Sequence, residues 1–111
     1  MTATITRTEL EALLTKGDVV VIDALPASYY DQVHLPGALN LVESDVEQHA
    51  PTLLPDVSAT IVTYCSNEAC GNSQAVANHL ERLCYTAVRK YPEGIQGWVA
   101  AGNPTESTQS A

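Results

Sequence analysis

At 111 residues with 45% hydrophobic content, the chain holds material for one core and hardly for two, so a single soluble domain is expected. A formal charge of −8 argues against nucleic acid or an anionic membrane surface as a partner, and no apolar run approaches the roughly 20 residues of a membrane span. Three cysteines, an odd number in a chain with a believable core, argue against a secreted disulfide scaffold and fit a reducing compartment.

Met1 to Thr8 lack the basic start and apolar run of an export signal, so the cytoplasm is the expected location. Thr6-Arg7-Thr8-Glu9 has the spacing of a capping box, and Leu10, Leu13 and Leu14 form a stripe before Gly17, which predicts a helix over residues 7–16. Val19-Val20-Val21-Ile22-Asp23 is short, β-branched and closed by an acid, the pattern of a strand buried on both faces of a parallel sheet. Pro26 suits the first turn of a short helix over 26–32. His34-Leu35-Pro36-Gly37-Ala38 is turn chemistry, and a short strand is expected over 39–41. A helix over 43–49 is expected to stop at Pro51, followed by a connecting loop over 52–59.

Thr60 to Tyr64 reads as a buried strand, and Cys65-Ser66-Asn67-Glu68-Ala69-Cys70-Gly71-Asn72-Ser73 as a polar loop leading into a helix over 74–83. Val76, Ala77, Leu80, Leu83 and Cys84 recur there at helical spacing, which puts Cys84 in the core. A last strand over 86–90 and a last helix over 93–101 complete the pattern. Residues 103–111 are small and polar and are expected to fray. Residues 1–104 therefore read as one domain and 105–111 as a polar C-terminal tail. Strands separated by helices or by loops too long for hairpins give an α/β domain with a mostly parallel sheet.

In such sheets ligands bind beyond the carboxyl ends of the strands, where Asp23 and Cys65 both fall. A cysteine between a strand and a helix meets N–H groups without helical partners and a partial positive charge of roughly half a unit. A thiolate is stabilised there, so the thiol pKa is expected to fall from about 8.5 towards neutrality, making Cys65 the candidate nucleophile. The same amides suit a persulfide or an oxyanion. Between Lys16 and Arg82 there is no Lys or Arg, so the loop supplies no cation of its own, and backbone N–H groups, hydroxyls and His34 are expected to hold an anion there unless Arg82, Arg89 or Lys90 comes round through the fold. Cys70 reads either as a resolving thiol for Cys65, by disulfide formation or by accepting its sulfur, or as a filler of the loop. Asn72 or Ser73 is expected to cap the following helix. Asp23 either accepts N–H groups from the loop or caps its strand end, and His34 is expected to fix its turn by hydrogen bonding. Tyr29, Tyr30 and Trp98 read as core aromatics. Zinc ligation by Cys65, Cys70, His79 and Cys84 lacks a recognised spacing, so no metal and no cofactor are expected.

Val21-Ile22-Asp23, the segment Tyr30 to Asn40 with its His34-Leu35-Pro36-Gly37-Ala38, Val62-Thr63-Tyr64-Cys65, and Glu93-Gly94-Ile95-Gln96-Gly97-Trp98 through Pro104 together resemble, in order, the signature segments of single-domain rhodaneses. The resemblance implies a parallel sheet of about five strands flanked by helices and a Cys65 that cycles between thiol and persulfide. It further implies transfer of sulfane sulfur, from a small donor or a protein persulfide, to an acceptor thiol or cyanide. Three positions depart from the family's usual pattern: Leu25 where an Arg is common, Val33 where a Gly precedes the His, and a longer loop that carries Glu68 and no cation. A dianion such as thiosulfate is expected to bind poorly in that loop. Two other classes of function differ in what they require. A phosphatase or arsenate reductase needs an Arg six residues after its cysteine, where this chain has Gly71. A non-enzymatic persulfide carrier or redox-sensing docking module needs only the reactive thiol and a partner, for which the acidic surface suits a basic protein.

Overall fold

The computed structural model describes residues 3–107. Five parallel strands form one sheet in the order β1-β5-β4-β2-β3: β1 (Ala3–Thr4), β2 (Val20–Asp23), β3 (Leu39–Asn40), β4 (Ile61–Tyr64) and β5 (Val88–Lys90). The expected parallel α/β architecture is thus present. The additional edge strand β1 is two residues long, too short to leave a periodic signal in sequence. The helices are α1 (Arg7–Lys16), α2 (Ala27–Gln32), α3 (Val46–Leu53), α4 (Asn72–Arg82) and α5 (Gly94–Ala100).

Alternation along β4 divides the core. Val62 and Tyr64 pack on one face with Leu10 of α1 and Ile95 and Trp98 of α5. Ile61 packs on the other with Val46 and Ala50 of α3 and Val76, Ala77 and Leu80 of α4. Burial on both faces explains the unbroken apolar runs of β2 and β4. Helix α1 starts at the predicted capping box, with Glu9 N–H donating to Thr6 Oγ1 at 3.2 Å and Thr6 N–H donating to Glu9 Oε1 at 3.0 Å. It stops at Gly17, whose φ of 78° carries the chain through a left-handed cap.

Several local expectations are corrected. Glu43–Asp45 is a 3₁₀ turn, and α3 begins after it and runs through Pro51 to Leu53. Pro51 is exposed, so the missing N–H falls on the solvent side, while buried Ala50 and Leu54 hold the turn closed through a 2.7 Å bond from Leu54 N–H to Ala50 C=O. Cys84 is exposed rather than in the core, because α4 ends first and residue 84 takes a positive φ of 75°; Tyr85 fills the core instead. Tyr29 is 56% exposed and is not a core aromatic. Trp98 is, with its indole N–H donating to Pro104 C=O at 2.8 Å. The segment after Asn103 is tied down as far as it is described. The backbone of Glu106 exchanges two 2.9 Å bonds with that of His34, and Ser107 donates to Asp31 C=O. The rest of the tail, residues 108–111, lies outside the described residues.

Candidate active site

Because all strands run parallel, Asp23, Asn40, Tyr64 and Lys90, the last residues of β2 to β5, gather at one edge of the sheet. The loop from Cys65 to Gly71 leaves β4 at that edge and enters α4 at Asn72, two residues earlier than predicted. No side chain caps α4. The two residues expected to do so are used elsewhere: the Asn72 side-chain amide donates to Ala24 C=O, and Ser73 turns its hydroxyl to within 3.5 Å of Cys65 Sγ.

Helix α5 holds the loop from its carbonyl side. Ile95 N–H donates to Cys65 C=O at 2.8 Å and Gln96 N–H to Ser66 C=O at 3.0 Å. These are N–H groups of the first turn of α5, which have no partners inside the helix. Gly94 permits the approach, with a φ of 67° and no room for a side chain against Ser66. Within the loop, Asn67 Oδ1 accepts from Ala69 N–H at 2.9 Å and Asn67 C=O accepts from Cys70 N–H at 3.2 Å, which folds Cys70 back over Cys65.

The result is a pair of neighbouring thiols. The Cys65 S–H donates to Cys70 C=O at 3.4 Å, and each thiol shifts the titration of the other. All three cysteines are free thiols. Cys65 is 1% exposed, and burial, followed by the hydrogen bond to Cys70, pushes its thiol above the ordinary value, although Ser73 opposes both with its hydroxyl and N–H. The expected depression at Cys65 is therefore absent in the dithiol state, because the side chain points down into the core formed with Val62 and Ile95. Cys70 behaves oppositely. Burial works against its anion, but the Cys65 S–H, the N–H groups of Asn72 and Ser66 and the charge of Lys90 together outweigh burial and hold it below the ordinary value. Lys90 is thus the cation that the fold brings round.

Asn67, Glu68 and Ala69 line an outer groove with Glu93, Gln96 and Gly97. Among the described residues, Asp23 and His34 form no hydrogen bond with either sulfur. Asp23, fully buried, accepts from Leu25 N–H and from Tyr64 Oη–H, both at 2.8 Å, and Tyr64 Oη accepts from Leu35 N–H at 3.0 Å. Burial raises the Asp23 pKa against the pull of these two donors. This chain fixes the end of β4 immediately before Cys65. His34 fixes its turn as expected, stacking on Tyr30 with ring centroids 3.9 Å apart and placing Nδ1 2.7 Å from Tyr30 C=O. Among the described residues, no group of three or more His, Cys, Asp or Glu is placed to hold a metal, and no helix is long and apolar enough to cross a membrane.

Sequence reasoning missed Tyr64, Gly94, Ile95 and Gln96 as parts of the site, and named Lys90 only as one of three cations that the fold could bring round. The signal for these residues lay in the resemblance, which includes Val62-Thr63-Tyr64-Cys65 and the segment Glu93 to Trp98.

Comparison with known proteins agrees with this architecture. The chain is 29% identical over 102 residues to the HTH-type transcriptional regulator Rv0324 of Mycobacterium tuberculosis, aligning over 92% of this chain but spanning only 44% of that relative. It is 26% identical over 96 residues to the thiosulfate sulfurtransferase GlpE of Coxiella burnetii, with 86% of each covered. The solution structure of the rhodanese-like domain of Anabaena Alr3790 superposes with a TM-score of 0.82 at 27% identity, covering 96% of this chain and 80% of that one. The family model of the rhodanese-like domain matches residues 6–101, and with nearly the whole chain so covered, this protein belongs to the rhodanese-like domain family.

Proposed function

We propose that the protein is a sulfurtransferase that carries sulfane sulfur as a persulfide on Cys65 and delivers it to a thiol or to cyanide. The observation that carries this reading is the convergence of the Ser66, Asn72 and Ser73 amides, with the Lys90 charge, on the two sulfurs at the end of β4. These are fixed donors for an anionic sulfur in a partly dry site, where they act at little reorganisation cost. Cys65 gives up its proton as its sulfur attacks the outer sulfur of the donor. The proton then leaves with the donor's departing thiolate.

Glu68 and Glu93 border the groove above the loop, which disfavours a dianion such as thiosulfate and favours the persulfide of a small thiol or of a protein. Free thiols of this kind persist in a reducing compartment, consistent with the cytoplasm. In a turnover assay with a small-molecule persulfide as donor and cyanide as acceptor, Cys65→Ser is expected to lose all transfer while keeping its fold. Transfer retained in that variant would overturn the assignment. The partial alignment with a protein named as a transcriptional regulator favours a second reading, a persulfide-sensing or docking module. A sulfur that stays on Cys65 until a specific protein removes it would select that reading.

A further inference from the structure

We propose that Cys70 resolves the Cys65 persulfide, attacking its inner sulfur to form a Cys65–Cys70 disulfide and expel hydrosulfide; this rests on the sulfurtransferase reading above. The geometry places the nucleophile. Cys70 is five residues from Cys65, and the loop's own bonds, Cys70 N–H to Asn67 C=O and Ala69 N–H to Asn67 Oδ1, fold it back until its carbonyl lies 3.4 Å from Cys65 Sγ, close enough for each thiol to shift the titration of the other. The atom that Cys70 touches is Cys65 Sγ, which becomes the inner sulfur once Cys65 is loaded. The Ser66 and Asn72 amides face the Cys70 sulfur, so the thiolate is held in place for the attack. A loop serving only to cradle the outer sulfur of a persulfide would leave those amides open to it.

The steps balance. Cys65–SH and a donor R–S–SH give Cys65–S–SH and R–SH. The Cys70 thiolate then attacks Cys65 Sγ, the S–S bond of the persulfide breaks, and HS⁻ departs with the electron pair. Sulfane sulfur is reduced to sulfide while the two cysteines are oxidised. Hydrosulfide is a good leaving group and the attack is intramolecular, so resolution competes with transfer to an outside thiol. A dithiol reductant must then reopen the disulfide, which makes the protein a reductive sulfide-releasing device where dithiols are plentiful and a one-turnover device where they are not.

The test uses a Cys84→Ser background, because Cys84 is exposed and would itself take up sulfur. Under anaerobic conditions, with glutathione persulfide as donor and the donor then removed, the protein retaining Cys70 is expected to release about one equivalent of hydrosulfide and to end lighter by two hydrogens, with Cys65 and Cys70 joined in the peptide map. Cys70→Ser and Cys70→Ala are expected to end one sulfur heavier at Cys65 and to release hydrosulfide only when dithiothreitol is added. A protein retaining Cys70 that also ends one sulfur heavier, on Cys65 or on Cys70, would overturn resolution and leave the sulfurtransferase reading standing. Failure of every variant to take up sulfur would defeat both.

Discussion

Replacing Gly94 by alanine tests whether α5 holds the Cys65 loop in shape. The new Cβ would sit 2.6 Å from both the carbonyl carbon and the oxygen of Ser66 and closer still to Cys65 C=O. Those are backbone atoms, so no rotamer change relieves the clash and the loop must retreat. Retreat breaks the bonds from Ile95 and Gln96 N–H to Cys65 and Ser66 C=O, worth about 1 kcal/mol each. The left-handed φ of Gly94 adds about 1–2 kcal/mol for any residue with a Cβ. The expected loss is therefore about 3–4 kcal/mol, a large share of the roughly 5–15 kcal/mol that stabilises a domain. Urea unfolding monitored by Trp98 fluorescence reads this as a lower midpoint at unchanged slope. Mapped alkylation should show Cys65 reacting faster as its burial is lost. Gly17→Ala is the control, since Gly17 has a φ of 78° with nothing within 4 Å of its Cβ position and should cost only the backbone share. If Gly94→Ala were no more destabilising than Gly17→Ala and left Cys65 alkylation unchanged, the clamp from α5 would be refuted.

Two further predictions concern titration. Tyr64→Phe removes the hydroxyl that donates to Asp23 and accepts from Leu35 N–H, leaving a buried carboxylate oxygen and a buried N–H unpaired at about 1–3 kcal/mol each. The folded Asp23 pKa is already raised above its ordinary value, so its favourable contribution is complete below the unfolded pKa and lost as pH rises through the folded one. Removing a donor to the carboxylate raises the folded value further, so the destabilisation should be larger at pH 8 than at pH 4, and a pH-independent difference in urea midpoint would contradict the account. In the reduced protein, the pH midpoint of iodoacetamide alkylation should lie below the ordinary thiol value at Cys70 and above it at Cys65. Lys90→Gln should move the Cys70 midpoint upward, and an unmoved midpoint would remove Lys90 from the site.

How much of this arrangement the sequence reveals depends on how far each interaction reaches along the chain. The capping box of α1, the buried runs of β2 and β4 and the strand-to-helix position of Cys65 are set by neighbours within a few residues, and all were legible. Pro51 and Cys84 were misjudged because local rules were overridden. Packing of Ala50 and Leu54 carries α3 past its proline, and an early end to α4 turns residue 84 outward although its spacing fitted the apolar face.

The electrostatics of the thiol pair lie further still from any local motif. The loop's peptide groups are oriented by N–H groups about thirty residues downstream in α5, which take the carbonyls of Cys65 and Ser66 while the Ser66 amide faces the Cys70 sulfur. The missing cation arrives from β5, whose pairing with β4 sets Lys90 beside Thr63. Pattern alone therefore assigned the anionic role to the cysteine nearest the strand. Burial then reverses the order: the first cysteine is deep enough for desolvation to raise its pKa, while the second, less buried and with more donors, is held below the ordinary thiol value. The same depth that raises the Cys65 pKa would shield a persulfide there from stray solvent nucleophiles, and on the proposal above the thiol that attacks its inner sulfur is already in the loop. On that proposal, an arrangement in which the buried cysteine holds sulfur and its neighbour is the more acidic thiol suits a sulfur carrier with a built-in release step better than one that relies on outside acceptors alone.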